Sequence, residues 1–353
     1  MNTRVPPRVS VIIPARNEEA NIARVLKSLV GQQGIQEILV VDDQSDDRTA
    51  EILAGLKGEI PLLCTLRVES LPAGWMGKTH AVAEGARVAT GDWLLFTDAD
   101  TEHLPGSLAA LLERAEAERA DLLSVSPGQE TPTWWQKSVI PVVYVKLAGL
   151  FRFEDVSDPK SSAAAANGQY LLVRREIYEQ SGGHAAVKSE ILEDVELARR
   201  IKAHGGKLIF LPGAEWVRTR MYGSFGEMWR GWKKNLYLLY AGKLGRMLGS
   251  VASLWLLDVI PVLAFIAACA WVAVEKGRAL AITMAIGFFL VALGRQWNYG
   301  RTLARLGFDP GLSNYQAIGS LLVGALILDS ARAHRAAGRI EWKGRIYATK
   351  GKG

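Results

Sequence analysis

Short apolar runs alternate with amphipathic segments along the first half of the chain. The runs at residues 9–13, 38–41, 62–68 and 93–96 are rich in β-branched or large apolar side chains, as is typical of buried strands. Between the first two, residues 21–30 place apolar side chains on one helical face. The alternation predicts an α/β fold with a mostly parallel central sheet and helices on its faces. The same patterns predict helices at 49–56, 79–89, 104–118 and 191–201, and strands at 122–125, 170–174 and 208–211.

Two carboxylates, Asp98 and Asp100, directly follow the predicted strand at 93–96. In an open α/β sheet, ligands bind beyond the carboxyl ends of the strands. Two carboxylates at such an end can hold a divalent cation, and the cation can neutralise a diphosphate. The alternative is a helix cap or a turn, where Asp is also common. A second acidic strand end, Asp42-Asp43, favours the cation site.

Lys78 and the pair Glu193-Asp194 stand at the starts of predicted helices. The helix dipole beside Lys78 favours an anion, and the alternative for Lys78 is a solvated surface position. Acids at a helix start are common without any function, so the residues alone leave the role of Glu193 and Asp194 open. A dinucleotide fold is disfavoured, because residues 14–18 read Pro-Ala-Arg-Asn-Glu where such a fold has Gly-x-Gly-x-x-Gly.

The C-terminal third is apolar enough to enter a membrane. Residues 253–274 are long enough to span a bilayer and carry one charge, Asp258. Residues 279–294 and 317–328 form two further, progressively shorter segments. If the N-terminal domain is cytoplasmic, three spans would leave the basic tail at 331–353 outside, against the positive-inside rule. We therefore expect two spans, and the third segment stays open between a span, a re-entrant segment and a surface helix.

Residues 134–153 and 215–250 mix aromatic, apolar and basic side chains and are candidate membrane-interface elements. The first of them also fits an ordinary buried helix. In the second, Arg230, Trp232 and Lys233 belong to a run of cations and tryptophans that suits a phosphate-bearing ligand or a lipid headgroup region. The net charge of +6 lies mostly in the second half and indicates contact with anionic lipid or phosphate rather than nucleic acid. The two cysteines lack metal-ligand spacing and fit a reducing compartment.

The order of four motifs resembles the family 2 glycosyltransferases of GT-A fold. These motifs are residues 9–19, Val40-Val41-Asp42-Asp43, Asp98-Ala99-Asp100 and Glu193-Asp194. Two more motifs, at residues 74–78 and 229–235, are followed by membrane segments and resemble the hopanoid-associated branch, with carotenoid glycosyltransferases as close relatives. The Gln-x-x-Arg-Trp motif of processive synthases is absent, which disfavours polymer synthesis.

The resemblance implies a Rossmann-like nucleotide-sugar-binding domain at 1–235, a transmembrane region of two to three helices at 251–330 and a basic tail at 331–353. It implies that Asp98 contacts the ribose or a metal, that Asp100 binds Mn²⁺ or Mg²⁺, and that Asp194 is the catalytic base. The residues it assigns to nucleotide-sugar binding are Pro14, Ala15, Asn17, Glu18, Asp42, Asp43, Lys78 and Asp98. Those it assigns to the acceptor or the diphosphate are Glu193, Arg230, Trp232 and Lys233.

The implied activity is an inverting transfer of a sugar from a nucleotide sugar, expected to be a UDP-sugar, to a lipid acceptor. A hopanoid or another isoprenoid is the expected acceptor class. The implied location is the inner membrane of a bacterial-type cell, as a multi-pass protein with its catalytic domain in the cytoplasm. Three alternatives are a polyprenyl-phosphate glycosyltransferase, a nucleotidyltransferase of similar fold and a non-catalytic membrane scaffold.

Overall fold

The computed structural model describes residues 7–240, 242–274, 279–337, 339–342 and 345–348. The chain forms two compact units, Met1–Glu130 with Phe151–Met221, and Thr131–Leu150 with Tyr222–Gly353. The sequence predicts a domain boundary at residue 235, whereas this division groups 131–150 and 222–235 with the C-terminal helices. Parts of the expected basic tail lie outside the described residues.

The elements follow the alternation expected from the sequence. The strands of the first unit are, in chain order, β1 (Val9–Ala15), β2 (Ile35–Asp42), β3 (Leu63–Arg67), β4 (Trp93–Phe96), β5 (Thr101–His103), β6 (Leu122–Ser126), β7 (Gly128–Gln129), β8 (Leu171–Arg174), β9 (Leu208–Pro212) and β10 (Val217–Thr219). Its α-helices are α1 (Ile22–Leu29), α2 (Thr49–Leu56), α3 (Gly77–Val88), α4 (Ser107–Ala117), α6 (Phe153–Ser157), α7 (Arg175–Gln180) and α8 (Glu193–Ala203). The helix α5 (Trp134–Leu150), which follows α4 in the chain, belongs to the second unit.

Seven strands form the central sheet in the order β3-β2-β1-β4-β8-β6-β9. In this sheet β8 runs antiparallel to both of its neighbours, β4 and β6, and the other pairings are parallel. The prediction of an α/β fold with a mostly parallel sheet is therefore confirmed. A smaller sheet has the order β5-β10-β7.

Strand β1 lies at the centre of the core, with helices packed on both faces. Alternate residues such as Val11 and Ile13 join one apolar cluster with α1, and Ile12 joins another with α3. A Cβ atom on Gly85 of α3 would lie 2.6 Å from Ile12 Cγ2. Only glycine therefore permits this close approach of helix and sheet, because packed interiors have no spare volume.

The carboxyl ends of β2, β1 and β4 lie side by side at one edge of the sheet. Ala15 is opposite Asp42, and Ile12 is opposite Phe96. Since β8 is antiparallel to β4, its first residue Leu171 is opposite Phe96. The segment that precedes β8 therefore arrives at the same edge as the acidic strand ends.

The second unit is mainly helical. After α5, its helices are α9 (Phe225–Leu239), α10 (Leu244–Leu254), α11 (Ile260–Val274), α12 (Ala279–Arg305) and α13 (Gln316–Arg332), with a π-helical turn at Trp255–Val259 joining α10 to α11. The strands β11 (Arg339–Trp342) and β12 (Arg345–Ala348) form an antiparallel pair. By length and composition, three helices of the described chain could cross a membrane: Leu244–Val274, Ala279–Arg305 and Pro310–Arg335.

Candidate active site

Hydrogen bonds join the loop after β1 to the loop after β2. The Asp43 N–H donates to the Ala15 carbonyl at 2.7 Å, and the Asn17 N–H donates to Ser45 Oγ at 3.0 Å. Asn17 has a φ of +55°, a left-handed conformation that Asn tolerates better than most residues. Its Oδ1 accepts from the Asp46 N–H at 3.0 Å. The two loops therefore form one hydrogen-bonded layer beyond the sheet edge.

Glu18 and Asp42 are also fixed in this layer. The Glu18 N–H donates to Thr49 Oγ1 at 2.8 Å. Asp42 is buried, and its Oδ1 accepts from the Ser45 N–H at 2.9 Å while its Oδ2 lies 3.1 Å from Arg67 Nη1. The Arg67 guanidinium offsets the cost of burying the Asp42 carboxylate. The structure thus brings the nucleotide-binding candidates of both loops to one edge of the sheet.

A recess opens beyond the ends of β1 and β4, next to the start of β8. Its lining residues are Pro14, Lys78, Val82, Phe96, Thr97, Asp98, Gly168, Leu171, His184, Glu193 and Asp194. Five of them are candidates from the sequence, and they come from four separate segments. The fold therefore assembles Pro14, Lys78, Asp98, Glu193 and Asp194 around one space.

Lys78 is the positive centre of this recess. It lies in the first turn of α3, with Nζ 2.8 Å from Asp98 Oδ1 and 3.0 Å from Glu193 Oε1. Burial by itself would lower the pKa of Lys78, but the charges of Asp98, Glu193 and Asp194 outweigh burial and raise that pKa well above its ordinary value. Lys78 is therefore a charged partner of three carboxylates and not the solvated surface lysine that the sequence left as an alternative.

Asp194 lies in the first turn of α8 and is held by two backbone donors. Its Oδ2 accepts from the Gly168 N–H at 2.8 Å, and its Oδ1 accepts from the Val195 N–H at 2.8 Å. Burial and the adjacent Glu193 carboxylate raise the pKa of Asp194 to about 6, against the opposing effects of Lys78 and the two N–H groups. A carboxylate whose pKa is raised toward the working pH is the more effective proton acceptor.

Gly168 leaves room for the Lys78 ammonium group. A Cβ atom there would lie 2.9 Å from Lys78 Nζ and 3.5 Å from Asp194 Oδ2. Any side chain at this position would therefore displace the Lys78 ammonium group. Gly168 is not among the site residues predicted from the sequence, because only the antiparallel direction of β8 brings it to this edge.

The backbone at Asp100 is anchored by three donors. The Asp100 carbonyl accepts from Arg24 Nη2 at 3.0 Å, Thr219 Oγ1 at 3.2 Å and the Arg220 N–H at 3.2 Å. Within the described ranges, no group of three or more His, Cys, Asp or Glu residues could hold a metal. Asp98 and Asp100 would thus give a cation two carboxylates, with phosphates and water completing its shell. That donor set fits Mg²⁺, which is usually bound through one or two carboxylates plus substrate phosphates.

His184 is a lining residue that the sequence analysis left without a role. It begins a 3₁₀ turn, and its ring packs edge-on against Phe96, with centroids 4.6 Å apart. The Tyr178 hydroxyl accepts from the His184 N–H at 3.1 Å and lies 3.0 Å from the ring Nδ1. Burial lowers the pKa of His184 to about 4, so the ring is neutral at pH 7.

Arg230, Trp232 and Lys233 lie on α9 in the second unit. Arg230 is exposed, and Trp232 is buried edge-on against Tyr144 with ring centroids 6.2 Å apart. Lys233 Nζ is 3.0 Å from Asp329 Oδ2. Glu193, which the resemblance assigns to the same acceptor or diphosphate group, belongs to the first unit.

Comparison with known proteins agrees with these features. Residues 10–182 match the family model described as Glycosyl transferase family 2. A 4,4'-diaponeurosporenoate glycosyltransferase of Staphylococcus aureus (strain MRSA252) is 25% identical over 345 residues, which cover 96% of this chain and 88% of the relative. The protein of the same name from Staphylococcus haemolyticus (strain JCSC1435) is 30% identical over 231 residues, or 65% of this chain and 60% of that relative.

A solved structure has a similar fold. It is a mannosyltransferase from Pyrobaculum calidifontis in complex with GDP-Man and Mn²⁺, and it is 18% identical to this chain. The match covers 94% of this chain and 88% of the other, with a TM-score of 0.54. At this identity the likeness shows the fold alone, which is that of the GT-A glycosyltransferases.

Proposed function

Because this chain contains a glycosyl transferase family 2 domain, we propose that it moves a sugar from a nucleotide-sugar donor to a lipid acceptor at a membrane. The observation that carries the proposal is the meeting of Lys78, Asp98 and Asp194 in one recess at the carboxyl edge of the sheet. The lipid nature of the acceptor is supported by the names of the staphylococcal relatives and by the apolar C-terminal helices.

The donor nucleotide would bind over the hydrogen-bonded loop layer. Asp42 and Asp43 are buried strand-end carboxylates suited to accept hydrogen bonds from the base or the ribose. Pro14, Ala15, Asn17 and Glu18 would form the opposite wall of the same pocket. We expect a UDP-sugar as the donor.

The leaving diphosphate would lie beside Asp98, Asp100 and Lys78. Asp98 and Asp100 would hold Mn²⁺ or Mg²⁺, which when bound neutralises charge on the diphosphate. Lys78 adds a positive charge that its pKa keeps in place over the whole physiological range. Because Asp98 and Glu193 hold Lys78 Nζ from two sides, the ammonium group is oriented before the donor arrives.

Asp194 would act as the general base. Its raised pKa suits proton abstraction from an acceptor hydroxyl, and it comes from a different segment than Asp98 and Asp100. Attack from its side, opposite the diphosphate, would invert the anomeric centre. Glu193 would position Lys78.

The experiment that tests the proposal supplies a panel of nucleotide sugars to membranes that contain the full-length protein, followed by mass spectrometry of the extracted lipids. We expect one sugar to be added to an isoprenoid lipid, with a hopanoid as the first candidate acceptor, and about a hundredfold less product or lower with the Asp194→Asn variant. A product formed equally by that variant, or consumption of a nucleoside triphosphate and a sugar phosphate with release of pyrophosphate, would contradict the proposal.

The same assay separates the acceptor classes. A glycosylated polyprenyl phosphate carries a phosphorus atom and is labile to mild acid, whereas a glycosylated hopanoid or carotenoid contains no phosphate. Protease treatment of sealed vesicles tests the proposed location, since we expect the catalytic domain on the cytoplasmic side.

A further inference from the structure

A buried polar cluster joins three helices of the second unit. Asp258, on the π-helical turn, accepts from Arg295 Nη2 at 2.7 Å, Gln316 Nε2 at 2.9 Å and Ser320 Oγ at 2.8 Å. Asp258 itself is 8% exposed. In this Asp258 cluster, Arg295 of α12 and the start of α13 therefore lie at the same level as the turn between α10 and α11. A buried charge in an apolar helix is tolerated when it is paired in this way.

From the Asp258 cluster, α13 runs back along α10. Its residues Gln316 and Ser320 contact Asp258, whereas the carbonyl of the next residue, Leu321, accepts from Trp255 Nε1 at 3.4 Å. Gly324 also packs against Trp255, because a Cβ atom at this position would clash with Trp255 Nε1. The order of these contacts makes α13 antiparallel to the helix that precedes Asp258. Its residues therefore move away from α11 as the chain advances.

The far half of α13 packs on α9. Ser330 Oγ donates to the Lys233 carbonyl at 2.6 Å and accepts from the Tyr237 N–H at 2.9 Å. In addition, Trp229 Nε1 donates to Asp329 Oδ2 at 2.9 Å. Polar groups on α13 are therefore satisfied by a helix that itself carries many charges, which is an environment unlike lipid hydrocarbon.

The helices α11 and α12 pack on each other and expose apolar side chains outward. Among the exposed residues are Leu263, Ile266, Ile286, Phe289 and Leu290. In the most apolar window of each candidate span, 44% of residues are buried for α13, against 22% for the α10–α11 helix and 6% for α12. The α11–α12 hairpin thus leaves most of its apolar surface uncovered, whereas nearly half of the α13 window is covered within its own unit and Ile318 and Leu321 stay exposed.

We infer that the α11–α12 hairpin alone crosses the bilayer, and that α13 lies on the near side of the membrane, where α9 and α10 begin. At about 1.5 Å per residue, residues 255–274 extend about 30 Å, which matches the hydrocarbon thickness and puts the Asp258 cluster about one turn inside its edge. The chain then crosses twice and returns to the near side. Arg301 and Arg305, which follow Arg295 on α12, lie on that side.

Cysteine labelling in sealed vesicles tests this topology. In a background of Cys64→Ser and Cys269→Ala, single cysteines replace Lys243, Lys276, Arg305 or Lys352 in the full-length protein. Lys276 and Lys352 lie outside the described residues and serve only as markers of the chain between the spans and after α13. A membrane-impermeant maleimide is applied to vesicles of each orientation. A monodisperse gel-filtration profile in detergent confirms that each variant is folded.

We expect positions 243, 305 and 352 to react from one side and position 276 from the opposite side. Reaction of position 352 from the side of position 276 would show that α13 crosses the membrane and would overturn the inference. Reaction of position 276 from the side of position 243 would show a hairpin that does not cross, and would overturn it equally. Neither outcome depends on the proposed sugar transfer, since no activity is measured.

Discussion

Replacement of Asp194 by Asn tests the assignment of the general base. The amide keeps the size of the side chain and can still accept a hydrogen bond from the Gly168 N–H, but it cannot take up the acceptor proton. General-base catalysis contributes about 10²–10⁴-fold, which at about 1.36 kcal/mol per tenfold corresponds to about 2.7–5.4 kcal/mol of transition-state stabilisation. We expect a loss of this size in the transfer rate. Donor affinity should change little, because Lys78 keeps its ion pairs with Asp98 and Glu193.

The pH dependence gives a second, independent signature of Asp194. Since its pKa is raised to about 6, the wild-type rate should fall as the pH drops through 6 and the base becomes protonated. The raised pKa also means that the protonated form is favoured in the folded state. Protonated Asp194 therefore contributes to the free energy of unfolding. This contribution is complete below the ordinary pKa of Asp and is lost as the pH rises through about 6. The Asn variant should lose both pH effects, and at pH 8 it should melt no lower than the wild type.

The assay measures initial transfer rates between pH 5 and 8.5, donor binding by calorimetry and melting in detergent. Glu196→Gln is the matched control, because Glu196 lies in the same first turn of α8 but pairs with Arg199 instead of lining the recess. Glu193→Gln should have a milder effect than Asp194→Asn. If Asp194→Asn abolished donor binding, or left the rate and its acidic limb intact, Asp194 would not be the base.

Substitutions at three further positions, Lys78, Asp100 and Gly168, test the recess and the cation site. Lys78→Gln removes the positive charge between three carboxylates, so we expect a lower melting temperature and weaker donor binding by calorimetry. Lys78→Arg keeps the charge and should restore most of the melting temperature. If both variants melted at the wild-type temperature, the ion pairs of Lys78 would not stabilise the fold. Asp100→Asn should weaken Mn²⁺-dependent donor binding at least tenfold without changing the circular dichroism, and unchanged binding would remove Asp100 from the cation site. Gly168→Ala should lower transfer at least tenfold by displacing Lys78 Nζ, whereas Gly55→Ala, where a Cβ atom meets nothing within 4 Å, should leave transfer unchanged; equal rates for the two alanine variants would refute the steric argument.

The local pattern of apolar and polar residues was sufficient to predict the helices and strands and some of the residues that line the recess. Apolar runs and helical periodicity depend on neighbouring residues, so the strands that become β1, β2 and β4 could be predicted with their acidic ends. Because parallel strands end at a common edge, the proximity of Asp42 and Asp98 to that edge also followed. The apolar C-terminal segments were equally clear, since length and hydropathy are local properties.

Long-range packing decided the features that the sequence left open. The pairing of β8 against β4 brings Gly168 to the recess, and nothing near Gly168 in the chain encodes that direction. Lys78 has partners that are 20 and 115 residues away, so its ion pairs with Asp98 and Glu193 exist only in the folded chain. In the same way, α13 is apolar by composition, but its contacts with α9 and α10 determine what surrounds it. Apolar character is a property of each residue, whereas burial depends on which elements the fold packs against it.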